Sequence, residues 1–70
     1  MTIDSELLEA LSELEHEQWR VWRSDVERRF GLPHSESLDK GYSELSEAEK
    51  EEDRVFARRV LALLEKRRLI

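Results

Sequence analysis

SELLEALSELEHEQWRVWRSDVERRF, residues 5–30, is a stretch without glycine or proline, the two residues that most disfavour a helix interior. Its apolar residues recur at the three- and four-residue spacing of one helix face, and they are Leu7, Leu8, Leu11, Leu14, Trp22 and Val26. Gly31 follows, where a left-handed residue ends a helix, and Pro33 keeps the helix from resuming. The sequence therefore predicts one long helix over about 5–30, with Trp22 mainly in its core.

A second helix is predicted over about 46–68. Ser46 and Glu49 have the spacing of a capping box, in which each side chain bonds the backbone amide of the other residue. The predicted apolar stripe of this helix comprises Phe56, Val60, Leu63 and Leu64. Its last turn carries cations that suit the negative end of the helix dipole, namely Lys66, Arg67 and Arg68.

Residues 31–45 are rich in glycine and serine and predict an irregular connector. Leu38, Tyr42 and Leu45 are apolar enough to pack back on the helices. The chain has no strand pattern and no internal repeat. We therefore expect a single all-α domain over residues 1–70, a helical hairpin of two long helices joined by an irregular connector.

A chain of 70 residues buries a small core and usually needs an additional source of stability. The absence of cysteine excludes a disulfide, and two well-separated histidines do not favour a structural zinc. Self-association is the remaining source. We expect a homodimer, in which two hairpins form a four-helix arrangement.

The charge balance argues against nucleic acid as a partner. The formal net charge is −5, which repels a phosphate backbone. The arginines of the second helix are explained by the preference for cations at the C-terminal end of a helix. No apolar run approaches the roughly 20 residues that cross a bilayer, and the first residues are too acidic to open a signal peptide. The expectation is a cytoplasmic protein without a membrane partner.

Several polar residues fall where a plain apolar core would not place them. His16 and Trp19 lie on the flank of the first helix, and Glu49 and Asp53 precede Phe56 on the second. A buried carboxylate needs a cation or hydrogen-bond donors, so these positions predict either a surface rim of ion pairs or a polar pocket beside the tryptophans. In the pocket interpretation His16 and Trp19 face the second helix.

Two stretches of the chain, LSELEHEQWRVW at residues 11–22 and YSELSEAEKEEDRVFARRVLALL at residues 42–64, resemble the small RyR-domain proteins of bacteria, archaea and phages. The pattern departs from the family at Gly41, where a proline is usual, and at Phe56, where a tryptophan is usual. The positions that match the family pattern are His16, Glu17, Trp19, Trp22, Tyr42, Glu44, Leu45, Glu49, Lys50, Asp53 and Arg54.

This resemblance implies a non-enzymatic module, because related repeats in ryanodine receptors are packing and ligand-contacting units, one pair of which accommodates adenine nucleotides. One hypothesis is therefore a small-ligand module, with a nucleotide or other anionic ligand as the expected partner. A tryptophan would stack on the ligand, and Lys50 and Arg54 would meet its charge. The residues assigned to this site are His16, Trp19, Trp22, Tyr42, Glu49, Lys50, Asp53 and Arg54.

The alternative hypothesis is an interaction and dimerisation module, in which the same residues form a structural polar network. In that network Asp53 or Glu49 accepts hydrogen bonds from His16, Trp19 or Tyr42, and Arg54 stays free to meet a partner.

Catalysis is not expected, because the chain has no nucleophile motif, no phosphate-binding loop and no cysteine. His16 beside Glu49 or Asp53 is only a formal acid–base pair. The carboxylates of Glu49, Glu52 and Asp53 are attributed to a glutamate-rich helix start rather than to a Mg²⁺ or Ca²⁺ site. We therefore assign no catalytic residue, metal ligand or cofactor.

Overall fold

The computed structural model describes residues 5–70 and confirms the all-α helical hairpin. Helix α1 spans Ser5–Phe30 and helix α2 spans Glu47–Lys66. The connector contains two short 3₁₀ turns, Glu36–Asp39 and Tyr42–Glu44, and the described residues contain no strand. Residues 1–4 of the predicted domain lie outside the described part.

The predicted helix boundaries at the connector are correct. Gly31 has a φ of +62° and the amide of Leu32 bonds the carbonyl of Glu27, which closes the end of α1. At the start of α2, Ser46 and Glu49 form both hydrogen bonds of the capping box.

Helix α2 was predicted to run to about Arg68, and it ends two residues earlier. The helix ends at Lys66 because Arg68 takes a left-handed conformation, with a φ of 59°. The amide of Leu69 then bonds the carbonyl of Leu64 at 2.8 Å and satisfies one of the last carbonyls of the helix.

The buried centre of the hairpin is small and partly polar. Its buried members among the described residues are Ser12, His16, Tyr42, Leu45, Ala57 and Leu61. Ser12 donates to the carbonyl of Leu8 at 2.7 Å, so its burial leaves no unsatisfied hydroxyl. Small side chains at Ser12 and Ala57 let the two helices approach closely.

The predicted apolar stripes are wrong at several positions. Trp22 is 59% exposed and Leu14 is 51% exposed, although both were expected in the core of α1. Phe56 and Leu63 of α2 are likewise exposed. The physical reason is that α1 turns its Ser12, His16 and Trp19 side toward α2, so Leu14 and Trp22 face outward, while the other apolar residues of the stripe are half-buried.

The hairpin is thin and elongated. Its principal dimensions are 43, 23 and 14 Å, and 14 Å is little more than the diameter of one helix with its side chains. The Cα radius of gyration is 13.9 Å, against about 11 Å for a compact chain of this length. The hairpin therefore consists of one layer, and each helix has a side that its partner does not cover.

Candidate functional site

Five side chains form the main polar contacts between the two helices and the connector. We call them the polar cluster: Glu9, His16, Tyr42, Asp53 and Arg54. His16 and Glu9 come from α1, Tyr42 from the second 3₁₀ turn, and Asp53 and Arg54 from α2. Four of the five were predicted from the sequence, and the cluster links all three parts of the fold.

His16 ties the connector to both helices. Its ring is 3% exposed, and Nε2 lies 2.7 Å from the carbonyl oxygen of Lys40. Since a carbonyl oxygen can only accept, Nε2 carries the hydrogen. The other ring nitrogen, Nδ1, lies 3.7 Å from Asp53 Oδ2, so the expected proximity of these two residues is present. Burial raises the pKa of the Asp53 carboxyl, and the neighbouring carboxylates add to this effect.

Glu9 is the acceptor that organises the other half of the cluster. The Tyr42 hydroxyl donates to it at 2.7 Å, and the Arg54 Nε donates at 3.0 Å. The Arg54 hydrogen bonds, followed by that of Tyr42, lower the pKa of Glu9 to about 2. Burial and the Glu9 carboxylate raise the pKa of Tyr42. The phenol is therefore a hydrogen-bond donor at neutral pH.

Arg54 is not free, contrary to the sequence-based expectation. Besides Glu9 it contacts Glu47 at 3.1 Å, and these two carboxylates raise its pKa. Lys50, the other cation assigned to an anionic ligand, lies 3.6 Å from Glu47 and 5.6 Å from the Tyr42 ring centroid. The expected anion-binding charges therefore interact with this chain's own groups.

Glu49 joins the connector to the start of α2. It accepts a hydrogen bond from the Ser37 hydroxyl at 2.8 Å, in addition to its role in the cap with Ser46. The Ser37 bond, followed by the Ser46 bonds, lowers the pKa of Glu49. Its predicted partners were His16, Trp19 and Tyr42, so this part of the predicted network is wrong, because the first 3₁₀ turn brings Ser37 to the carboxylate.

A cavity of about 210 Å³ lies beside the polar cluster. The ring of Trp19 stacks on that of His16, with a centroid distance of 5.8 Å, and both rings line the cavity. The complete lining is His16, Trp19, Ser37, Leu45, Glu49, Glu52, Asp53 and Phe56. Three carboxylates and no lysine or arginine line it, so its charge suits a cation better than a phosphate.

Trp22 does not share this cavity. It borders a separate, open depression with Val21, Arg20 and Leu38. The predicted site residues therefore divide into three places: the polar cluster, the cavity and the outer side of α1.

Sequence reasoning missed Glu9, which is the residue with the strongest contacts in the cluster. Glu9, His16 and Arg23 are spaced by seven residues and so share one side of α1, which could have indicated its direction. It also missed Glu27, which accepts hydrogen bonds from Arg23, His34 and the Ser35 amide. These bonds attach the start of the connector to the end of α1.

The low pKa of Glu9 predicts an acid-sensitive contribution to stability. A group whose pKa is lowered by folding stabilises the fold above its ordinary value, here 4.5, and loses that contribution as the pH falls toward about 2. The Glu9 side chain is 42% exposed, so screening reduces its contribution to about 1 kcal/mol. We expect Glu9→Gln to lower the free energy of unfolding by that amount at neutral pH.

Urea unfolding of wild type and Glu9→Gln between pH 7 and pH 2 measures this difference, which should shrink as the pH falls. Glu13→Gln, an exposed glutamate on the same helix, is the matched control and should change little at any pH. A Glu9→Gln effect that is the same at both ends of the pH range would contradict the assignment.

Comparisons with family models, curated proteins and solved structures find no match for this chain. Within residues 5–70, neither helix has the length and apolar content of a membrane-spanning segment. In the same described residues, no three histidine or carboxylate side chains group closely enough to hold a metal ion. The polar cluster and the exposed apolar residues are therefore the features from which a function must be argued.

Proposed function

We propose that this protein is a non-enzymatic interaction module that works as a homodimer. In this proposal the residues singled out by the sequence motif set the packing of the hairpin, and the outward apolar residues bind the partner. The single observation that carries the proposal is that these two sets of residues lie in different places. The polar residues are paired inside, whereas large apolar residues are exposed.

The internal pairing argues for a structural role of the polar cluster. Arg54 and Tyr42 both donate to Glu9, and His16 bonds the connector backbone. Among the described residues, no buried side-chain nitrogen or oxygen is without a hydrogen-bond partner. A network that is satisfied without a ligand favours one arrangement of the helices.

The amount of exposed surface argues for a partner. The chain of 8.4 kDa exposes 5382 Å², whereas a folded monomer of that mass exposes about 4600 Å². The excess is roughly 800 Å², which is the area that one partner contributes to a stable protein–protein interface of standard size. A second copy of the same hairpin supplies a partner of matching shape.

The resemblance to RyR-domain proteins agrees with this proposal, because it implies a non-enzymatic module whose relatives occur as tandem pairs. A lone copy then corresponds to half of a pair. The family assignment itself stays a prediction.

The test of self-association is the dependence of thermal unfolding on protein concentration. If folding and dimerisation are coupled, a roughly hundredfold rise in concentration adds about 2.7 kcal/mol to the apparent stability. This corresponds to an increase in Tm on the order of 5–10 °C. A Tm that does not change over this range would contradict the proposal.

A small-ligand module is the second candidate, favoured by the cavity beside Trp19. Its carboxylates Glu49, Glu52 and Asp53 would repel the phosphates of the nucleotide that the sequence led us to expect. A small organic cation suits the cavity better, since Trp19 and Phe56 offer aromatic rings. A saturable change in tryptophan emission on titration with amines or nucleotides would favour this function.

A further inference from the structure

The outward side of α1 has the spacing of a helix-pairing seam. Leu11, Leu14, Gln18 and Val21 follow one another at intervals of three, four and three residues, which places them on one line along the helix. Leu14 and Val21 are 51% and 75% exposed in the hairpin, and Leu11 is half-buried. Trp22 borders this line and is also exposed. A line of apolar side chains along a helix is the pattern that a second helix covers.

The outward side of α2 is a poorer seam. Phe56 and Leu63 are exposed there, but Arg59 lies between them along the helix and Glu52 precedes them at the same spacing. The Arg59 guanidinium also lies 5.8 Å from the Phe56 ring centroid, so it already covers part of that ring. Desolvating these charges opposes association, so α1 is the favoured contact surface.

The charges of α1 select the orientation of the partner. Glu9, Arg23 and Glu27 are engaged inside the hairpin. Of the remaining charges, residues 5–17 contain four glutamates and neither lysine nor arginine, whereas residues 18–30 contain three arginines and one acid. A parallel pair of α1 helices would place the acidic halves side by side. An antiparallel pair places the acidic half of each helix beside the cationic half of the other, which is favourable.

We propose that two copies pair through the Leu11–Val21 line of α1, antiparallel and related by a two-fold axis between Leu14 and Gln18. This inference rests on the proposed homodimer and names its interface. In such a pair Leu11 of one copy faces Val21 of the other, and Leu14 faces Gln18. Gln18 is the one polar side chain of the line and fixes the register.

Cysteine cross-linking tests the orientation, because the natural chain contains no cysteine. We expect Leu11→Cys and Val21→Cys to form little disulfide when each variant is oxidised alone, and to form a covalent heterodimer when they are mixed. Leu63→Cys, at an exposed position of α2, is the control and should not cross-link with either variant. Efficient cross-linking of each α1 variant with itself would show a parallel pair and overturn the proposal.

A pair of matched substitutions tests the choice of helix. Leu14 and Leu63 are similarly exposed, at 51% and 54%, so glutamate at either position leaves the interior of the hairpin intact. Sedimentation should show that Leu14→Glu raises the dimer Kd by more than about tenfold, while Leu63→Glu stays within about twofold of wild type.

Different results would contradict the homodimer and the α1 interface. A wild-type chain that stays monomeric overturns the homodimer and this interface together. A wild-type dimer that resists Leu14→Glu, or that Leu63→Glu dissociates, overturns the α1 interface and leaves the homodimer standing. Circular dichroism of each variant verifies that the hairpin is retained, and the mixed cross-link gives a second readout that does not depend on introducing a charge.

Discussion

Leu61→Ala is expected to lower the free energy of unfolding by about 2–5 kcal/mol, the usual cost of truncating a fully buried leucine. Leu61 is 2% exposed and is the largest fully buried side chain of the described hairpin. A chain of this length has a total stability of roughly 4–10 kcal/mol. The substitution should therefore remove a large share of the stability and leave a measurable unfolded fraction.

Leu63→Ala is the matched control, since it makes the same chemical change two residues away on the same helix. Leu63 is 54% exposed, so we expect a loss below about 1 kcal/mol. Urea unfolding followed by far-ultraviolet circular dichroism compares the two variants. If Leu63→Ala were the more destabilising change, α2 would be rotated to the position that its sequence stripe suggested.

His16→Ala is expected to cost about 2–4 kcal/mol, although histidine is a polar residue. The change leaves a cavity in the hairpin, leaves the carbonyl of Lys40 without its donor and removes the group that faces Asp53. The connector would lose one of its attachments to α1. We therefore expect a lower unfolding midpoint and faster hydrogen exchange in residues 36–44.

His34→Ala provides the comparison for this second prediction. Its ring is exposed and contacts Glu27 and Asp39, which raise the pKa of His34. An exposed ion pair contributes little to stability, so we expect a much smaller effect than that of His16→Ala. Equal effects of the two histidine substitutions would mean that His16 is not a packing residue, and the polar cluster would lose its structural role.

The helices and the boundaries at the connector were predictable because they depend on local chemistry. Residues 5–30 lack helix breakers, Gly31 supplies the left-handed end, and Ser46 with Glu49 forms a cap within one turn. These signals act between residues that are close in the chain. The end of α2 was less predictable, because Arg68 adopts a left-handed conformation that usually calls for glycine or asparagine.

The side of each helix that faces inward was not predictable from hydrophobicity alone. Leucines dominated the prediction for α1, whereas the hairpin buries Ser12 and His16 on the other side. The Ser12 side chain is small, and its hydroxyl donates a hydrogen bond to the Leu8 carbonyl. His16 donates a hydrogen bond to the Lys40 carbonyl in the connector. The partner of Ser12 lies one turn earlier in α1, whereas that of His16 depends on the fold. A hydrophobicity scale counts neither hydrogen bond and so ranks both positions as surface.

The candidate site was predictable only in part of its membership and not in its connections. His16, Tyr42, Asp53 and Arg54 do meet between the helices, yet the acceptor that joins Tyr42 and Arg54 is Glu9. Glu9 and Arg54 are 45 residues apart in the chain, so their contact depends on the register of α1 against α2. The register of α1 against α2 cannot be predicted from a local sequence pattern.

The molecular mass in solution tests the central claim most directly, namely that the side of α1 that carries Leu14 and Val21 is open for a second copy. Sedimentation equilibrium at micromolar concentration and above should give a mass near twice 8.4 kDa, with dissociation on dilution. A mass of 8.4 kDa at every concentration, together with cooperative unfolding of the monomer, would contradict the account.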